Sequence, residues 1–498
     1  MLFIKSSAKP TKKVSSDSAA LSFDLLSNLT YMAALAASYA SRDKIFERAI
    51  EQPFKTSVYF KQVYLLSKKL GFEYARAFQL AAKRASAETV KGLLLRFASA
   101  IDSGESELDF LTKEAQVEQE MYTASYMRQI ESLQKWGDAY AALIVSASVI
   151  VVVVMVSNML YKMGNAFVGA LSILTIILTF FGSYVINKSA PFEIKPYRKR
   201  RGPRSRRRAI LCFYIGAPIG LVVGGFAALS SSPGLGFLIV GIALIPSGIF
   251  AYMDDMRVDK IDQEVATYVR SVGRLAGALG TTTAVAAARM DRKSLGALEP
   301  YIHRLQTRLK SNLSPELCWE SFRDEVGSEL MNRSSRMLVD GAALGGPPER
   351  VADLASNYAL NIALLRAKRK VASGTFAYLT MPLHFALTSL MVFILEVMHS
   401  FDSRLNAAVE ELSKMGGGSG GSVISVSSLP VFQHQDLAFV SLLTLVVIVG
   451  FTIANTITPL FATGGHPIKT TFYASIMCIF SGISLMVVPS IAQKFLNR

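Results

Sequence analysis

Residues 188–208 read KSAPFEIKPYRKRRGPRSRRR, with ten Lys and Arg residues against one acid, Glu193. Long apolar runs flank this basic loop on both sides. So much positive charge crosses a lipid bilayer only at high cost, so the loop should fix which side of a membrane the chain faces. By itself, the same charge would also suit binding to nucleic acid or to anionic lipids, and the rest of the chain has to decide between these.

The composition indicates an all-α, polytopic membrane protein. The 498 residues are 51% hydrophobic and only 18% charged, whereas soluble domains average about 25% charged residues. The apolar residues are gathered into long runs, as in membrane-spanning helices. The net charge is +16, and the basic loop supplies much of it. Three cysteines, Cys212, Cys318 and Cys478, lie far apart and show neither metal-site nor disulfide spacing.

About seven apolar segments are long enough to cross a bilayer. The first, 141–160, has no charged residue and can span the bilayer's core of about 30 Å as a helix. The others are 166–186, 209–229, 235–252, 374–397, 437–458 and 472–492.

Two charged blocks, module 1 (21–138) and module 2 (253–371), show the periodicity of soluble helices. Leu25, Leu29, Met32, Leu35 and Ala36 form one apolar stripe, Val58, Phe60, Val63, Leu66 and Leu70 a second, and Val265, Val269, Val272, Leu275 and Leu279 a third. The predicted order is a disordered polar tail (1–20), module 1, spans one and two (139–187), the basic loop (188–208), spans three and four (209–252), module 2, span five (372–397), an external Gly/Ser-containing loop (398–436), and spans six and seven (437–498).

The two modules end alike, which suggests an internal duplication. Module 1 ends in LLLRFASAIDSGESELDFLTKEA and module 2 in SSRMLVDGAALGGPPERVADLASNYA. Each ending is a helix, a break at Gly104 or at Gly345 and Gly346, and a long final helix, at an offset of roughly 240 residues, beyond any solenoid period. No strong breaker separates either final helix from the next span, so we predict one continuous helix in each case.

Charge sets the predicted topology. With the basic loop inside, two spans separate it from each module, so both modules face the cytoplasm, as does the N-terminus. The 398–436 loop and the C-terminus then face outward.

The sequence carries no catalytic motif. It lacks G-x-x-x-x-G-K-[ST] and H-E-x-x-H, so we expect no enzyme activity and no cofactor. Gly417–Gly421 matches G-x-S-x-G, but a flexible linker suits it better. His384 and Glu396 are the candidate intramembrane polar residues, each with a structural alternative: a helix–helix hydrogen bond for His384 and an interfacial position for Glu396. Gly220 and Gly224 form a G-x-x-x-G pair for packing within the bundle or in a homodimer.

The basic loop is the candidate surface for lipids or for a motor protein. Besides fixing topology, it would attract anionic headgroups or an acidic cytoplasmic partner, whereas no nucleic-acid-binding fold accompanies it. Its candidate residues are Lys195, Arg198, Lys199, Arg200, Arg201, Arg204, Arg206, Arg207 and Arg208.

With these features the chain resembles the type II secretion system F family, the platform proteins of secretion systems and type IV pili. The resemblance rests on two helical modules that each lead into a span, on the run EVATYVRSVGRLAGALGTTTAVAAA, and on LVDGAALGGPPERVADLASNYA with its Gly-rich break. Seven spans with a basic loop between the halves look more like the archaeal platform proteins of the archaellum and related pili. The resemblance fits an archaellum and an adhesive pilus equally.

The resemblance implies a non-enzymatic, multi-pass platform in the cell membrane. A separate hexameric ATPase would act on the modules, and the motion would insert pilin-like subunits into a filament. Its expected partners are this ATPase, the pilin-like subunits, anionic lipids and a second copy in a homodimer, but not nucleic acid. The alternatives are a transporter or permease, which needs polar residues or broken helices at the bilayer midplane, and a lipid-binding scaffold.

Overall fold

The computed structural model describes residues 14–161, 164–197, 202–291, 293, 295–415 and 437–496, and across these ranges the protein has sixteen α-helices and no β-strand. They are α1 (Val14–Ala36), α2 (Arg42–Glu51), α3 (Ser57–Leu70), α4 (Tyr74–Arg84), α5 (Glu88–Asp102), α6 (Glu107–Tyr161), α7 (Asn165–Ser189), α8 (Arg204–Ser230), α9 (Pro233–Leu279), α10 (Thr283–Arg289), α11 (Glu299–Lys310), α12 (Pro315–Val326), α13 (Glu329–Ala343), α14 (Pro348–Met415), α15 (Leu437–Thr463) and α16 (Thr470–Leu496).

Seven of these helices, α6–α9 and α14–α16, are long and apolar enough to cross a membrane. Each contains one of the seven predicted apolar segments, so the all-α, multi-pass architecture is confirmed. The helices α6, α9 and α14 are much longer than a bilayer requires, with 55, 47 and 68 residues. Their additional turns belong to the modules, except that α14 also extends past its apolar segment to Met415.

The chain divides into two compact units. Unit 1 holds the residues up to Ile130, Pro191–Arg204 and Met256–Lys368, and thus most of both modules. Unit 2 holds Glu131–Ala190, Ser205–Asp255 and the residues from Arg369 onward, and thus the apolar segments. The helices α6, α9 and α14 contribute residues to both units without a break, as the sequence predicts for α6 and α14.

The repeat within unit 1 has a constant offset. Module 1 uses α1–α5 and the start of α6, and module 2 uses the end of α9, α10–α13 and the start of α14. Helix α13 begins at Glu329, 241 positions after Glu88 of α5, and α14 begins at Pro348, 241 positions after Glu107 of α6. This equal spacing supports the predicted duplication.

The predicted breaks lie where the backbone requires glycine. Gly104 and Gly345, also 241 positions apart, have φ angles of +74° and +93°, in the left-handed region that other residues rarely adopt. Gly346 is needed for a different reason, because a Cβ atom there would lie 2.9 Å from the carbonyl oxygen of Gly341.

Aromatic side chains fill the two module cores. Phe46, Phe60, Phe78, Phe97 and Phe110 pack together in module 1, with centroid separations from 4.5 to 6.3 Å. In module 2, Tyr268, Trp319 and Phe322 are buried against one another.

The predicted apolar stripes are confirmed in part. All five members of the α1 stripe are buried. In the α3 stripe, Phe60 and Val63 are buried, but Val58 and Leu70 are 58% and 66% exposed. Leu279, at the end of the α9 stripe, is 43% exposed, because α9 ends there.

In unit 2, α15 packs against both α7 and α16. The G-x-x-x-G pair brings α8 close to α9: a Cβ atom on Gly224 would lie 2.8 Å from the Gly236 carbonyl oxygen, and one on Gly220 would lie 2.8 Å from Cβ of Ala243. The pair therefore serves packing within the chain, one of the two predicted uses.

Two predicted boundaries are wrong. Helix α1 begins at Val14, inside the predicted tail, and α14 continues to Met415, so residues 398–415 are helix and not loop. Neither Gly nor Pro interrupts α14 in this stretch, and Asn406 donates a hydrogen bond to Asp402 one turn earlier. The Gly/Ser-rich remainder, 416–436, lies outside the described residues, as does the tail before Val14.

Candidate functional site

A buried arginine joins the two modules. Arg333 of α13 is 3% exposed and donates from Nε to Glu329 on the same helix at 2.8 Å. Its Nη1 and Nη2 donate across the module boundary to Ser27 Oγ at 2.6 Å and to Asp24 Oδ1 at 2.8 Å, both on α1. Two carboxylates and one hydroxyl thus surround one guanidinium, the fork geometry that suits arginine better than lysine.

Aromatic rings and a tyrosine complete this junction. The guanidinium carbon of Arg333 lies 4.3 Å from the ring centroid of Phe23 and 4.6 Å from that of Phe54, a cation–π arrangement. Ser27 also hydrogen-bonds to the hydroxyl of Tyr358 on α14 at 2.8 Å. Burial disfavours the charged guanidinium, but Tyr358, Glu329 and Asp24 outweigh this cost and raise the pKa of Arg333.

A second set of hydrogen bonds joins the same two modules. Tyr31 of α1 donates to Asp340 of α13 at 2.7 Å and accepts from Gln52 at 3.0 Å. Burial and the nearby Asp340 carboxylate raise the pKa of the Tyr31 phenol, so its hydroxyl stays protonated and can donate. Farther along, Thr123 of α6 and Asn361 of α14 hydrogen-bond to each other.

The segment before the basic cluster is bound inside unit 1. Arg366 of α14 is buried between the carboxylates of Glu193 and Asp262, and it donates to the Ile194 carbonyl at 3.2 Å. Lys195 pairs with Asp259. Backbone hydrogen bonds of 3.0 Å also join this segment to residues 327 and 329, at the start of α13. The loop's single acid therefore anchors the loop to the helical bundle.

The nine predicted basic residues fall into three groups. Lys195 and Arg206 are buried and paired, with Asp259 and Asp254 respectively, so they stabilise the fold and offer little charge to a ligand. Arg204, Arg207 and Arg208 are exposed at the start of α8. Arg198, Lys199, Arg200 and Arg201 lie outside the described residues.

His384 lies in a polar cluster at the core of unit 2. Its Nε2 is 2.9 Å from Ser481 Oγ, and its Nδ1 is 3.1 Å from Nδ2 of Asn455. Asn455 accepts from the Tyr140 hydroxyl at 2.9 Å, and Thr458 lies 3.1 Å from that same hydroxyl. All five side chains are buried and come from α6, α14, α15 and α16. The helix–helix hydrogen bond predicted for His384 is present, within a larger network.

Glu396 has a simpler environment. It is half-buried on α14 and accepts a hydrogen bond from Gln493 of α16 at 2.8 Å. Within the described residues, no group of three or more His, Cys, Asp or Glu side chains could hold a metal ion.

Sequence reasoning missed the charged residues at the module junction and at the segment before the basic cluster. Glu329, Arg333, Arg336 and Asp340 recur at spacings of four, three and four along α13 and so share one helix face. A charged stripe of this kind usually faces solvent, but Arg333 and Glu329 are buried. One signal in the sequence could have indicated this. Helix α1 is apolar but carries Asp24, an acid that needs a base such as Arg333 when it is buried.

The comparisons with known proteins give two archaeal relatives. The chain is 22% identical over 326 residues to a flagella accessory protein J of Methanocaldococcus jannaschii, covering 62% of this chain and 57% of the relative. It is 21% identical over 451 residues to a flagella accessory protein J of Methanococcus voltae, covering 88% of this chain and 78% of the relative.

These alignments relate the chain to flagella accessory proteins of archaea. It spans little more than half the length of the first relative. No family model matches the chain, and no solved structure matches it either.

Proposed function

We propose that this protein is the non-enzymatic membrane platform of an archaellum or a related type IV pilus-like machine. Unit 1 faces the cytoplasm and a hexameric ATPase, unit 2 lies in the cell membrane beside the pilin-like subunits, and the C-terminus is external. The archaeal relatives and the seven apolar helices support this assignment.

The observation that carries the proposal is the continuity of α6, α9 and α14. Each of them is one uninterrupted helix that contributes residues to both units. Backbone hydrogen bonds make a helix stiff along its axis, whereas a Gly or Pro hinge absorbs displacement locally. Pro246 of α9 and Pro382 of α14 both lie in the apolar segments of unit 2, beyond the residues of unit 1. Three such helices would carry a displacement of unit 1 into the membrane segments.

The buried ion pairs would make unit 1 respond as one body. Arg333 holds α1 against α13, and Arg366 holds the 191–197 segment against α14. That segment connects α7 to α8, so force applied to either module would also reach these two membrane helices through the chain.

A hinge inserted into α6 tests this coupling. Insertion of Gly-Pro after Gln134 breaks the helix between Ile130 of unit 1 and the apolar segment that starts at Ala141. We expect filaments, counted by electron microscopy on cells, to disappear while the protein remains in the membrane at its normal level. The same insertion after Gly418, in the Gly/Ser-rich segment, should leave filaments intact. Normal filament numbers with the Gln134 insertion would contradict the coupling mechanism.

Co-purification tests the partner. The protein, extracted in mild detergent, should co-purify with a hexameric ATPase. Deletion of the gene for that ATPase should abolish filaments. Loss of filaments without an associated ATPase would favour a different role in assembly.

The polar cluster around His384 favours a second candidate, a transporter. The transporter alternative requires polar groups in the membrane interior, and the cluster supplies them. In this structure, however, the clustered groups satisfy one another. Substrate uptake by purified protein in vesicles, abolished by His384→Phe, would support transport. Unchanged filament assembly by the His384→Phe variant would agree with transport. Absence of uptake by the parent protein would favour the platform role.

A further inference from the structure

Module 1 has an open cleft that the junction and membrane segments described above do not use. Helices α1, α5 and α6 border it, together with Phe192 of the 191–197 segment, and its volume is about 510 Å³. A second cavity of about 180 Å³ shares Thr89, Glu118 and Met121 with the first, so the two form one groove.

Glu118 is the unusual group in this groove. It is 8% exposed, lines both cavities, and has no hydrogen-bond or ion-pair partner in the part of the chain that the structure describes. The neighbouring Glu114 already binds Arg96, with distances of 2.6 and 2.7 Å. Glu118 lies at least twenty residues before the apolar segment of α6, and burial together with Glu114 raises its pKa to about 7. A buried carboxylate without a partner is unfavourable, and a cation from outside would relieve it.

Apolar side chains line part of the groove, beside polar ones such as Thr89 and Gln129. Leu25 and Leu29 of α1 line it, and Met121 is 49% exposed at its mouth. A groove that combines apolar side chains with polar and charged ones has the composition of a site for an amphipathic helix.

The repeat shows what such a face does in module 2. The positions 241 residues after Gly92 and Val117 are Arg333 and Tyr358, and both contact α1 of module 1. This face of module 2 is thus covered by a helix that presents an acid, Asp24. In module 1, Gly92 lines the groove and Val117 stays 47% exposed.

The charge of this face is reversed between the modules. Module 2 has the cation Arg333 where module 1 has Gly92, and it has the buried Ala359 where module 1 has Glu118. A helix that suits module 2 carries an acid, so a helix that suits module 1 should carry a base.

We propose that this groove binds an amphipathic helix of a cytoplasmic partner protein, with a Lys or Arg side chain of that helix paired with Glu118 and its apolar side chains packed on Leu25, Leu29 and Met121. The proposal goes beyond the platform role, rests on the cytoplasmic placement proposed for unit 1, and does not depend on which filament is built. The groove has three acids, Glu88, Glu114 and Glu118, against two bases, Arg96 and Arg128. Because Arg96 is already paired with Glu114, the groove disfavours a phosphate-bearing partner.

Photo-crosslinking tests the site in intact cells. Benzoylphenylalanine is placed at Met121 in the full-length protein, and the crosslinked peptide is identified by mass spectrometry. The control position is Val58 on α3, which is 58% exposed against 49% for Met121 and does not line the groove. We expect a crosslink from Met121 alone, to a segment with a Lys or Arg among helically spaced apolar residues.

Charge reversal then tests the ion pair. Glu118→Lys should lower the crosslink yield at least tenfold, whereas Glu120→Lys, on another face of α6, should leave it unchanged. A Lys→Glu or Arg→Glu change in the crosslinked segment should restore the yield with Glu118→Lys. If Glu118→Lys does not accumulate, Glu118→Gln and Thr89→Trp replace it, because Gln removes the charge without adding bulk and Trp fills the exposed mouth.

Three results would overturn the proposal: no crosslink from Met121, a yield unaffected by every groove variant, or a crosslink to this protein itself. The last includes its own residues 1–13, which carry Lys5, Lys9, Lys12 and Lys13, and a second copy. Filament counts on the same strains separate the docking hypothesis from the platform hypothesis. If the docking site fails these tests but the Gln134 insertion still abolishes filaments, the platform role stands.

Discussion

Replacing Arg333 with Met should loosen the junction between the modules. The substitution keeps an unbranched side chain but leaves Asp24 and Glu329, which are 4% and 8% exposed, as buried carboxylates without their cation. Breaking a buried ion pair from one side costs about 3–5 kcal/mol. Asp24 keeps one donor, the backbone N–H of Lys55 at 2.9 Å, which places the cost toward the lower end of this range.

Hydrogen exchange in nanodiscs measures this cost where it arises. Local opening of α1 and α13 controls the exchange of their core amides, and 3–5 kcal/mol corresponds to a roughly 10²- to 10⁴-fold faster exchange. The matched control is Arg304→Met, because Arg304 also pairs with a glutamate, Glu325, but its side chain is 44% exposed. An exposed pair contributes about 0–1 kcal/mol, so the control should change exchange less than about fivefold.

The two carboxylates provide the second half of the test. Adding Asp24→Asn and Glu329→Gln to Arg333→Met removes the uncompensated charges and should recover at least about 2 kcal/mol. If Arg333→Met changes exchange no more than Arg304→Met does, or if neutralising the acids recovers nothing, the junction does not depend on this ion pair and the reasoning is refuted.

Three further changes test other parts of the structure. Gly224→Val should lower the thermal unfolding temperature in detergent and Gly225→Val should not, because a Cβ on Gly224 would lie 2.8 Å from a carbonyl oxygen while one on Gly225 has open space. Gly345→Ala should destabilise unit 1 by about 1–2 kcal/mol through its positive φ alone, and Gly296→Ala, also in open space but without positive φ, should be neutral by the same melting assay. Folded Glu118 holds its proton up to about pH 7, whereas an unfolded Glu releases it near pH 4.5, so the stability of the native protein falls as the pH rises through this window. Glu118→Gln should therefore be more stable than the parent at pH 8, by on the order of 3 kcal/mol at most. The difference should be gone near pH 4.5.

The apolar periodicity of the sequence was sufficient to locate the membrane helices. Each predicted apolar segment lies inside one helix, because a run of about 20 apolar residues has few other stable arrangements. Helix ends were harder to place: α14 passes the predicted boundary at Val397 by 18 residues, since residues 398–415 contain neither Gly nor Pro.

The module junction could not be read from the pattern, for a physical reason. Periodicity identifies which residues share a helix face but not what that face meets. On α3, Val58 and Leu70 follow the helical repeat and are exposed. On α13, Arg333 has the composition of a solvent-facing residue and is buried, because Asp24 and Ser27 come from a module more than 300 positions away.

The two modules share a backbone plan but differ at one equivalent face, which α1 covers in module 2. The left-handed glycines, Gly104 and Gly345, are common to both because the turn requires them in any copy. Side chains that contact a neighbour are free to diverge once two copies have different neighbours. When two like modules associate head to tail, different faces of the two copies meet. The face that is covered in one copy, here the α13 and α14 face of module 2, is therefore left open in the other copy. Arg333 marks the used face, and Glu118 lies beside the open one, at the position where module 2 has the buried Ala359.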